Sequence, residues 1–483
     1  MQQLTRSLNE NRMSIETVLI HCEDVSYRHF SLGQQDQQAI LIFITELIKK
    51  DLLDATILRE CMASTRCLHH IDIALLKNSY ISSSDLVERT HLEEIIDDLL
   101  AGNVILILDG DASALSMQAL GWEHRGVEKS ENEVSIRGSQ QAFTENLSNN
   151  IALLRRFIRH PALKVEKHTI GEMTKTPYVI LYLANLIQPE LLEKIHQNLN
   201  SSQLDNVLDS GNLVEPLRKG VVSPFPIVNR TERPDRAAAL MLEGRVIILV
   251  DNSPVALSMP SLFVEYLQVP EDYFENFYLQ SMIRLLRYVA LILAITIPSL
   301  YVSLVGYHHE LIPSSMLPSI MSQRKGIPLP TFVEVLIMEI LFEILREAGL
   351  RLPRPIGQTI SIVGALVIGQ AAVSAKLVMA TTVIVVATTG IASFTIPGYG
   401  LSSAVRIIRF FLLLLTGLLG LFGFCIGMFF IFMHLVSLES YGIPYTGALS
   451  PMVPADLKDT LFRTPGQNQT HIPWSTSRGG KKP

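Results

Sequence analysis

LREAGLRLPRPIGQTISIVGALVIGQAAVSA, residues 345–375, is the stretch that decides how this chain folds. It opens with three arginines and two prolines, and from Ile356 onward it carries no charge until Lys376. A helix that spans a bilayer needs roughly 20 mostly apolar residues, and an arginine-rich approach is typical of a cytoplasmic flank. The stretch therefore predicts a membrane-spanning helix over 356–375.

Helical spacing gives this predicted helix two faces. Small residues that let a second helix approach closely recur at every fourth position; they are Gly357, Ser361, Ala365 and Gly369. The second face places two polar side chains around an apolar pair; it consists of Thr359, Val363, Leu366 and Gln370. Such a face can line a narrow aqueous path with a hydrophobic constriction, or it can simply hydrogen-bond a neighbouring helix. The sequence leaves both interpretations open.

The chain divides into a charged first half and an apolar second half. It has 483 residues, 48% of them hydrophobic, and a mean hydropathy of +0.30. Nearly all of the charge lies before residue 288, and long uncharged runs follow it. A soluble region of two small domains followed by an all-α transmembrane domain fits this distribution. The net charge of −6, without a basic run in the first half, argues against nucleic-acid binding.

The N-terminal half shows no targeting segment and no cofactor motif. Residues 1–11 are polar and no apolar core follows before Cys22, so we expect this half to stay in the cytoplasm. Cys61, Cys67, His69 and His70 do not match zinc spacing, which predicts reduced thiols and no metal. Nucleotide-binding and hydrolase motifs are also missing from the sequence. We therefore expect no enzyme activity and no cofactor.

Two windows of the first half recur later in the chain. ILIFITELIKKDLLD (40–54) aligns with VILYLANLIQPELLE (179–193) at an offset of 139 residues. GNVILILDGDASALSM (102–117) aligns with GRVIILVDNSPVALSM (244–259) at an offset of 142 residues. Both windows combine short apolar strands with turn residues and helix starts. This predicts a duplicated α/β region, with similar subdomains at 1–135 and 161–263 joined by a helical linker at 136–160.

Two groups of charged residues in this region are open to a functional or a structural interpretation. Asp109 and Asp251 lie at equivalent strand ends, where a carboxylate can be catalytic but is more often a turn former. The segment NRTERPDR (229–236) predicts a solvated helix start with ion pairs, or alternatively a subunit contact.

The C-terminal half predicts about five transmembrane helices within 288–436. An acidic, aromatic segment at 264–287 precedes them and is typical of an interfacial helix. The expected spans are 288–307, 331–345, 356–375, 377–397 and 407–436. With five crossings the tail, 437–483, lies outside, and its composition predicts that it is mostly disordered.

The span at 331–345 is the most ambiguous because it carries an acidic stripe, Glu339, Glu343 and Glu347. It either crosses the bilayer with these charges facing protein or water, or lies along the surface. Crossing keeps all of the later arginines on the cytoplasmic side, which favours it. The glutamates can attract cations to a pore mouth, or pair internally with Arg346 or Arg351.

Several motifs together resemble the A-subunit family of the GerA-type spore germination receptors. They are LREAGLRLPRPIGQTISIVG, VIGQAAV (367–373), ASFTIP (392–397), RTERPDR and DLKDTLFRTP (456–465), and the resemblance runs from about 137 to 465. Two positions depart from the family pattern, with Ser139 in place of a proline and Ala365 in place of a glycine. The second departure slightly widens a close helix contact.

The resemblance implies a nutrient receptor in the spore inner membrane, made with a transporter-like B subunit and a C-subunit lipoprotein. It further implies that A subunits form a homo-oligomer that acts as a nutrient-gated ion channel. The small-residue face would then pack subunits together, and the face bearing Gln370 would line the pore. A component like a secondary transporter and a non-conducting scaffold remain as alternatives.

Overall fold

The computed structural model describes residues 2–49, 53, 58–59, 71–81, 85–119, 121, 133, 138–202, 204–351, 367, 369–447, 449–450 and 459–463. These residues fall into two compact units. One includes Met1–Gly220 and Val228–Pro260 and is built on β-sheets, and the other includes Val221–Ile227 and Ser261–His471 and is mainly helical. This division into an α/β region and a helical region confirms the coarse prediction from the sequence.

The first sheet has strand order β1-β2-β4-β5-β3. Its elements are α1 (Leu8–Val18), β1 (Val25–Leu32), β2 (Gln37–Ile44), short helical segments Ile73–Leu75 and Leu76–Tyr80, β3 (Leu86–Arg89), α2 (Leu92–Leu100), β4 (Asn103–Leu108) and β5 (Ala114–Gln118). Central strand β2 reads as a continuous apolar run because both faces of the sheet are covered. Ile40 and Ile42 enter one core cluster with α1 and α2, whereas Leu41 and Phe43 enter a second cluster on the other face.

The second sheet has the equivalent order, β6-β7-β9-β10-β8. Its elements are α3 (Leu147–Phe157), β6 (Leu163–Ile170), β7 (Thr176–Leu183), α4 (Pro189–Asn200), α5 (Gly211–Leu217), β8 (Asn229–Thr231), α6 (Pro234–Leu242), β9 (Val246–Val250) and β10 (Ala256–Met259). The strand registers also correspond, since Ala39 pairs with Leu108 and Tyr178 pairs with Val250. These pairs differ by the offsets of the two sequence windows.

The segment expected to be a linker at 136–160 is instead a core helix of the second sheet. Ile151 and Leu154 of α3 enter the same cluster as Val165 and Val179, so the expectation of a linker was wrong. Helix α3 corresponds to α1, which lies 139 residues earlier. The apolar face of α3 is buried against strands that follow it in the chain, which periodicity alone does not reveal.

Side-chain contacts at the two helix starts also correspond. Asn11 and Asn150 each accept a hydrogen bond from the backbone amide six residues before, at 2.8 Å in both cases. Asp109 accepts a hydrogen bond from the amide of Leu8, and Asp251 accepts one from the amide of Leu147. Both aspartates therefore hold helix N-termini, where a carboxylate is favourable.

The NRTERPDR segment begins helix α6 at Pro234 and does contain ion pairs. Nη2 of Arg233 lies 2.7 Å from Oδ2 of Asp235 and also donates to the carbonyl of Ser139. Arg233 is buried, however, so the expectation of a solvated helix start was wrong at this residue. The guanidinium is folded inward because its partners lie within the same unit.

The helical unit starts with short 3₁₀ turns at Phe263–Tyr266 and Pro270–Tyr273. Its helices are α7 (Phe277–Gly306), α8 (Leu317–Arg324), α9 (Thr331–Arg351), α10 (Ala380–Phe394) and α11 (Tyr399–Ser437), with a turn at His309–Leu311 and short strands β11 (Glu439–Ser440) and β12 (Ile443–Pro444). Within the described residues, α7 and α11 are long and apolar enough to cross a membrane, by length and composition. We refer below to the Phe277 end and the Gly306 end of α7 as the two ends of this bundle.

The segment expected to lie at the membrane interface, 264–287, is part of the packed unit. Asp272 is fully buried and accepts hydrogen bonds from both Nη atoms of Arg287 at 2.9 Å. Arg284, also fully buried, lies 3.2 Å from Asp272 and 3.1 Å from Asp459. The interfacial expectation was therefore wrong, because these arginines are compensated inside the protein.

Helix α11 reverses direction at Gly420, which has φ 61° and ψ −139°. A side chain placed at Gly423 or Gly427 would meet Leu415 and Leu412 of the first half of the helix. Residues 399–419 and 421–437 are thus two antiparallel helices, and the expected single span over 407–436 was wrong. The glycine permits a backbone conformation that other residues hardly adopt.

The reversal also decides where the tail begins. The amide of Gly398, just before α11, donates to the carbonyl of Tyr266 at 3.2 Å. Tyr445, just after α11, accepts a hydrogen bond at its carbonyl from Phe263, and Asp459 contacts Arg284. Both ends of α11 therefore lie at the Phe277 end of the bundle. The described tail residues are packed and lie on the same side as the start of α7, in contrast to the expectation of an outer, mostly disordered tail.

Candidate functional site

The face predicted to line a pore lies mostly outside the described residues. This applies to Thr359, Val363 and Leu366, and also to three of the predicted packing residues, namely Gly357, Ser361 and Ala365. Of the remaining two, Gly369 is buried and Gln370 is exposed. A methyl group at Gly369 would lie 3.3 Å from Cγ1 of Val383, so this glycine lets its segment approach α10 closely.

Helix α9 runs from the Gly306 end of the bundle toward the Phe277 end. At its start, Thr331 accepts a hydrogen bond from Arg324, which also donates to the carbonyl of Val305. One turn further on, Glu334 is fully buried and accepts hydrogen bonds from the amide of Met379 and the hydroxyl of Thr382. This carboxylate therefore joins α9 to the start of α10.

The other glutamates of α9 enter a buried charge cluster. Oε2 of Glu339 lies 3.0 Å from Nη2 of Arg409, and both side chains are 1% exposed. Oε1 of Glu343 lies 2.9 Å from the same nitrogen, and Glu343 also lies 3.4 Å from Arg406 and 3.3 Å from Arg346. The cluster connects α9 to the first half of α11.

The charges of this cluster compensate one another inside the chain. Two carboxylates face three guanidinium groups, so the cluster does not present a net negative field. Nε and Nη1 of Arg409 have no hydrogen-bond partner among the described residues. Buried charges of this kind contribute little net stability but are costly to leave unpaired.

Sequence reasoning identified the glutamates but not their principal partners. It named Arg346 and Arg351, which lie nearby on the same helix, whereas Arg406 and Arg409 come from α11. Glu347 is separate from the cluster, since it is exposed and pairs with Arg351 at 2.6 Å. The signal available in the sequence was a pair of arginines spaced three residues apart in an otherwise apolar helix.

Much of the helical unit's surface is apolar. Large exposed side chains include Leu286, Val289 and Ile292 on α7, Ile384 and Ile391 on α10, and Leu418 and Phe429 on α11. Contiguous apolar surface of this kind is typical of proteins that contact lipid or other subunits.

Known proteins match nearly the whole chain. The family model described as Bacillus/Clostridium GerA spore germination protein matches residues 13–474. The chain is 38% identical to the uncharacterized membrane protein YfkQ of Bacillus subtilis over 99% of its own length and 92% of the relative's. It is 36% identical to spore germination protein KA of Bacillus subtilis, covering 99% of this chain and 88% of that protein. It is 34% identical to spore germination protein GerLA of Bacillus cereus, covering 96% and 94%.

One solved structure is also similar. The N-terminal domain of the A subunit of the Bacillus megaterium spore germinant receptor GerK3 aligns with 54% of this chain and 98% of its own, with 26% identity and a TM-score of 0.40. The family model and the full-length relatives decide the assignment. The chain belongs to the family of Bacillus/Clostridium GerA spore germination proteins.

Proposed function

We propose that this chain is the membrane subunit of a nutrient (germinant) receptor that triggers spore germination, and that several copies form a ligand-gated cation channel. The receptor role follows from the family and from relatives named as spore germination proteins. The channel role rests on one observation, the exposure of Gln370 beside the buried Gly369. A polar amide exposed on an otherwise apolar segment is a functional candidate.

The argument for a pore starts from the helical position of Gln370. Gly369 packs against Val383 of the same chain, which leaves the neighbouring Gln370 pointing away from that contact. Further copies around a common axis would bring this amide toward an aqueous path. Thr359, Val363 and Leu366 would continue the same face, with the apolar pair as the constriction.

The described contacts support a placement in the membrane. Helices α7 and α11 are candidate spans, and the charge cluster of Arg346, Arg406 and Arg409 lies toward the Phe277 end of the bundle. We propose that this end faces the cytoplasm, as the positive-inside rule favours. The reversal at Gly420 then places the N-terminal α/β region and the tail on the same side. The two sheets of that region are copies of one unit in this proposal.

The partners follow from the family resemblance. We propose that the chain acts in the spore inner membrane with a transporter-like B subunit that binds the nutrient and with a C-subunit lipoprotein. Nutrient binding would shift a closed-to-open equilibrium of the channel. The exposed apolar side chains of α7, α10 and α11 supply surface for lipid and for these contacts.

Potassium release from spores that carry Leu366→Ala tests the channel. Removing a large side chain from a hydrophobic constriction should let water enter, so these spores should release potassium and germinate without nutrient. Ile384→Ala, which truncates an exposed apolar residue of α10, is the matched control and should keep the nutrient requirement. The receptor role itself is measured separately, as nutrient-triggered germination of the unmodified strain and of a deletion strain.

Reconstitution distinguishes the channel from a scaffold. Vesicles that contain the receptor complex with Leu366→Ala should conduct cations, and Gln370→Ala should change the conductance or the ion preference. Equal flux in the wild type and in a Leu366→Ala, Gln370→Ala double variant would remove this helix from the pore. Nutrient-dependent germination without cation flux in any variant would favour the scaffold.

A further inference from the structure

Three titratable side chains converge beneath helix α4 in the second sheet of the α/β unit. Glu166 and His168 lie two residues apart on β6, so they point to the same face of the strand. His196 comes from α4, whose Ile195 and Leu199 are buried beside it. Strand and helix thus bring together residues that are 28 positions apart or more in sequence.

The three groups are arranged around one carboxylate oxygen. Oε2 of Glu166 lies 3.1 Å from Nε2 of His196 and 3.7 Å from Nε2 of His168. The three candidate ligand atoms lie within 4.8 Å of one another. Nε2 of His168 is buried and has no hydrogen-bond partner in the described part of the chain. A buried ring nitrogen directed at a carboxylate and a second imidazole has the lone pair that a metal ion needs.

A second layer of side chains fixes these groups in place. The hydroxyl of Tyr182 donates a hydrogen bond of 2.6 Å to Oε1 of Glu166, which leaves Oε2 for another ligand. The ring of Tyr178 stacks on His168 with centroids 5.4 Å apart. Hydrogen bonds to the outer oxygen of a ligating carboxylate are typical of metal sites, where they orient the first shell.

The first sheet shows that the fold does not require this set. In the matching strand registers, Arg28 occupies the position of Glu166, Phe30 that of His168 and Phe43 that of Tyr182. The same backbone arrangement is therefore stable with an apolar pair and an arginine. The polar set in the second sheet is a property of its residues and not of the architecture.

The electrostatic surroundings keep the carboxylate ionised. Burial raises the pKa of Glu166, but the adjacent His168 and the Tyr182 hydroxyl, with His196 and His21, lower that pKa by more. The net pKa of Glu166 is therefore below its usual value. The exposed His21, with Nδ1 3.9 Å from Oε1, adds a further imidazole at the edge of the cluster.

We propose that Glu166, His168 and His196 bind a divalent transition-metal ion such as Zn²⁺. Two imidazole nitrogens and one carboxylate oxygen form a common zinc ligand set, with a fourth position left to water. Ligand-to-ligand contacts of this length require only small side-chain movements to reach a tetrahedral arrangement. A bound ion would tie α4 to β6 and stiffen the second subdomain of the cytoplasmic region.

Metal analysis of the full-length chain in detergent tests this site. The protein is stripped with a chelator, dialysed against Zn²⁺ and analysed by inductively coupled plasma mass spectrometry. We expect about one equivalent bound with high affinity in the wild type, and its loss in the double variant His168→Gln, His196→Gln. His29→Gln, which changes an exposed histidine of β1, is the control and should retain the metal.

Tyr182→Phe separates positioning from ligation. This variant removes the hydrogen bond to Oε1 but leaves all three ligands, so the affinity for Zn²⁺ should fall about 10-fold to 100-fold while the stoichiometry stays the same. Equilibrium dialysis measures both quantities. Equal Zn²⁺ content and affinity in the wild type and in the double histidine variant would overturn the proposal.

Two further measurements exclude a different site or a folding defect. Replacing Cys61 and Cys67 by serine should leave the bound Zn²⁺ unchanged, and loss of the metal in that variant would place it elsewhere. Co²⁺-loaded wild-type protein reports the ligand type without any substitution. A sulfur-to-cobalt charge-transfer band would contradict the site, and a spectrum of nitrogen and oxygen ligands supports it.

Discussion

Asp24 and Arg155 form a fully buried, bidentate ion pair inside the α/β unit. Nε of Arg155 lies 2.7 Å from Oδ2 and Nη2 lies 2.9 Å from Oδ1, and neither side chain is exposed. Burial lowers the pKa of Arg155, but the charge of Asp24 raises that pKa by more, so the pair remains ionised. The pair connects α3 of the second sheet to the segment that precedes β1.

Breaking this pair should destabilise the protein strongly. Arg155→Ala leaves the Asp24 carboxylate buried without a counter-charge, and we expect a loss of about 3–5 kcal/mol in the free energy of unfolding. Arg12→Ala removes an exposed partner of Glu16 and should cost only about 0.3–0.5 kcal/mol. Denaturant unfolding of both variants, followed by circular dichroism, measures the difference. Equal effects would show that the buried pair is not coupled to folding.

Glu46 should give the α/β unit a pH-dependent stability. Burial raises the pKa of Glu46, and the ammonium of Lys167, 2.7 Å away, only partly offsets this. Between the unfolded and folded pKa values the folded state binds more protons, so stability falls as the pH rises through this window. Glu46→Gln should remove up to about 1.4 kcal/mol per pH unit of that slope. Hydrogen exchange of β2 and β6 at several pH values measures it, with the exposed Glu93→Gln as the control.

At the scale of the element, α11 depends on Gly420. This residue has a positive φ, and a side chain there would also lie 3.0 Å from the ring of Tyr307. Gly420→Ala should therefore destabilise the helical hairpin by about 1–3 kcal/mol. Thermal unfolding in detergent checks this, with the exposed Leu418→Ala as the control. An unchanged midpoint in Gly420→Ala would mean that α11 does not reverse at this residue.

Helix α9 illustrates how charged residues are accommodated in an apolar element. Its glutamates are satisfied in two directions, Glu334 by α10 and Glu339 by Arg409 of α11. Helical periodicity does predict that Glu334 and Glu339 point to different sides. It does not say which helices lie on those sides, because that depends on packing between elements distant in sequence.

At the scale of the whole molecule, the hairpin of α11 predicts the side on which each connection lies. Cysteines introduced at Tyr399 and Glu439, on a chain whose own cysteines are replaced by serine, should react with an impermeant reagent from the same side of the membrane. A cysteine at Leu311 should react from the opposite side, because it follows the Gly306 end of α7. Labelling of sealed vesicles of known orientation measures this. Glu439 labelled together with Leu311 would restore a single long final span.

The amino-acid sequence by itself determined the two-part organisation, the repeated β-sheet windows and the family. These features depend on composition, on local strand patterns and on motifs, all of which are encoded by residues close together in the chain. The sequence also located the acidic residues of α9, because charges within an apolar run are conspicuous.

Only the tertiary structure decided what those local features contact. It showed that α3 is a core helix, that α11 reverses at Gly420, and that Arg409 neutralises Glu339. It also brought His196 to Glu166 and His168. Helical and strand periodicity define which face of an element is apolar or charged, but the partner of that face is chosen by packing between residues far apart in the chain.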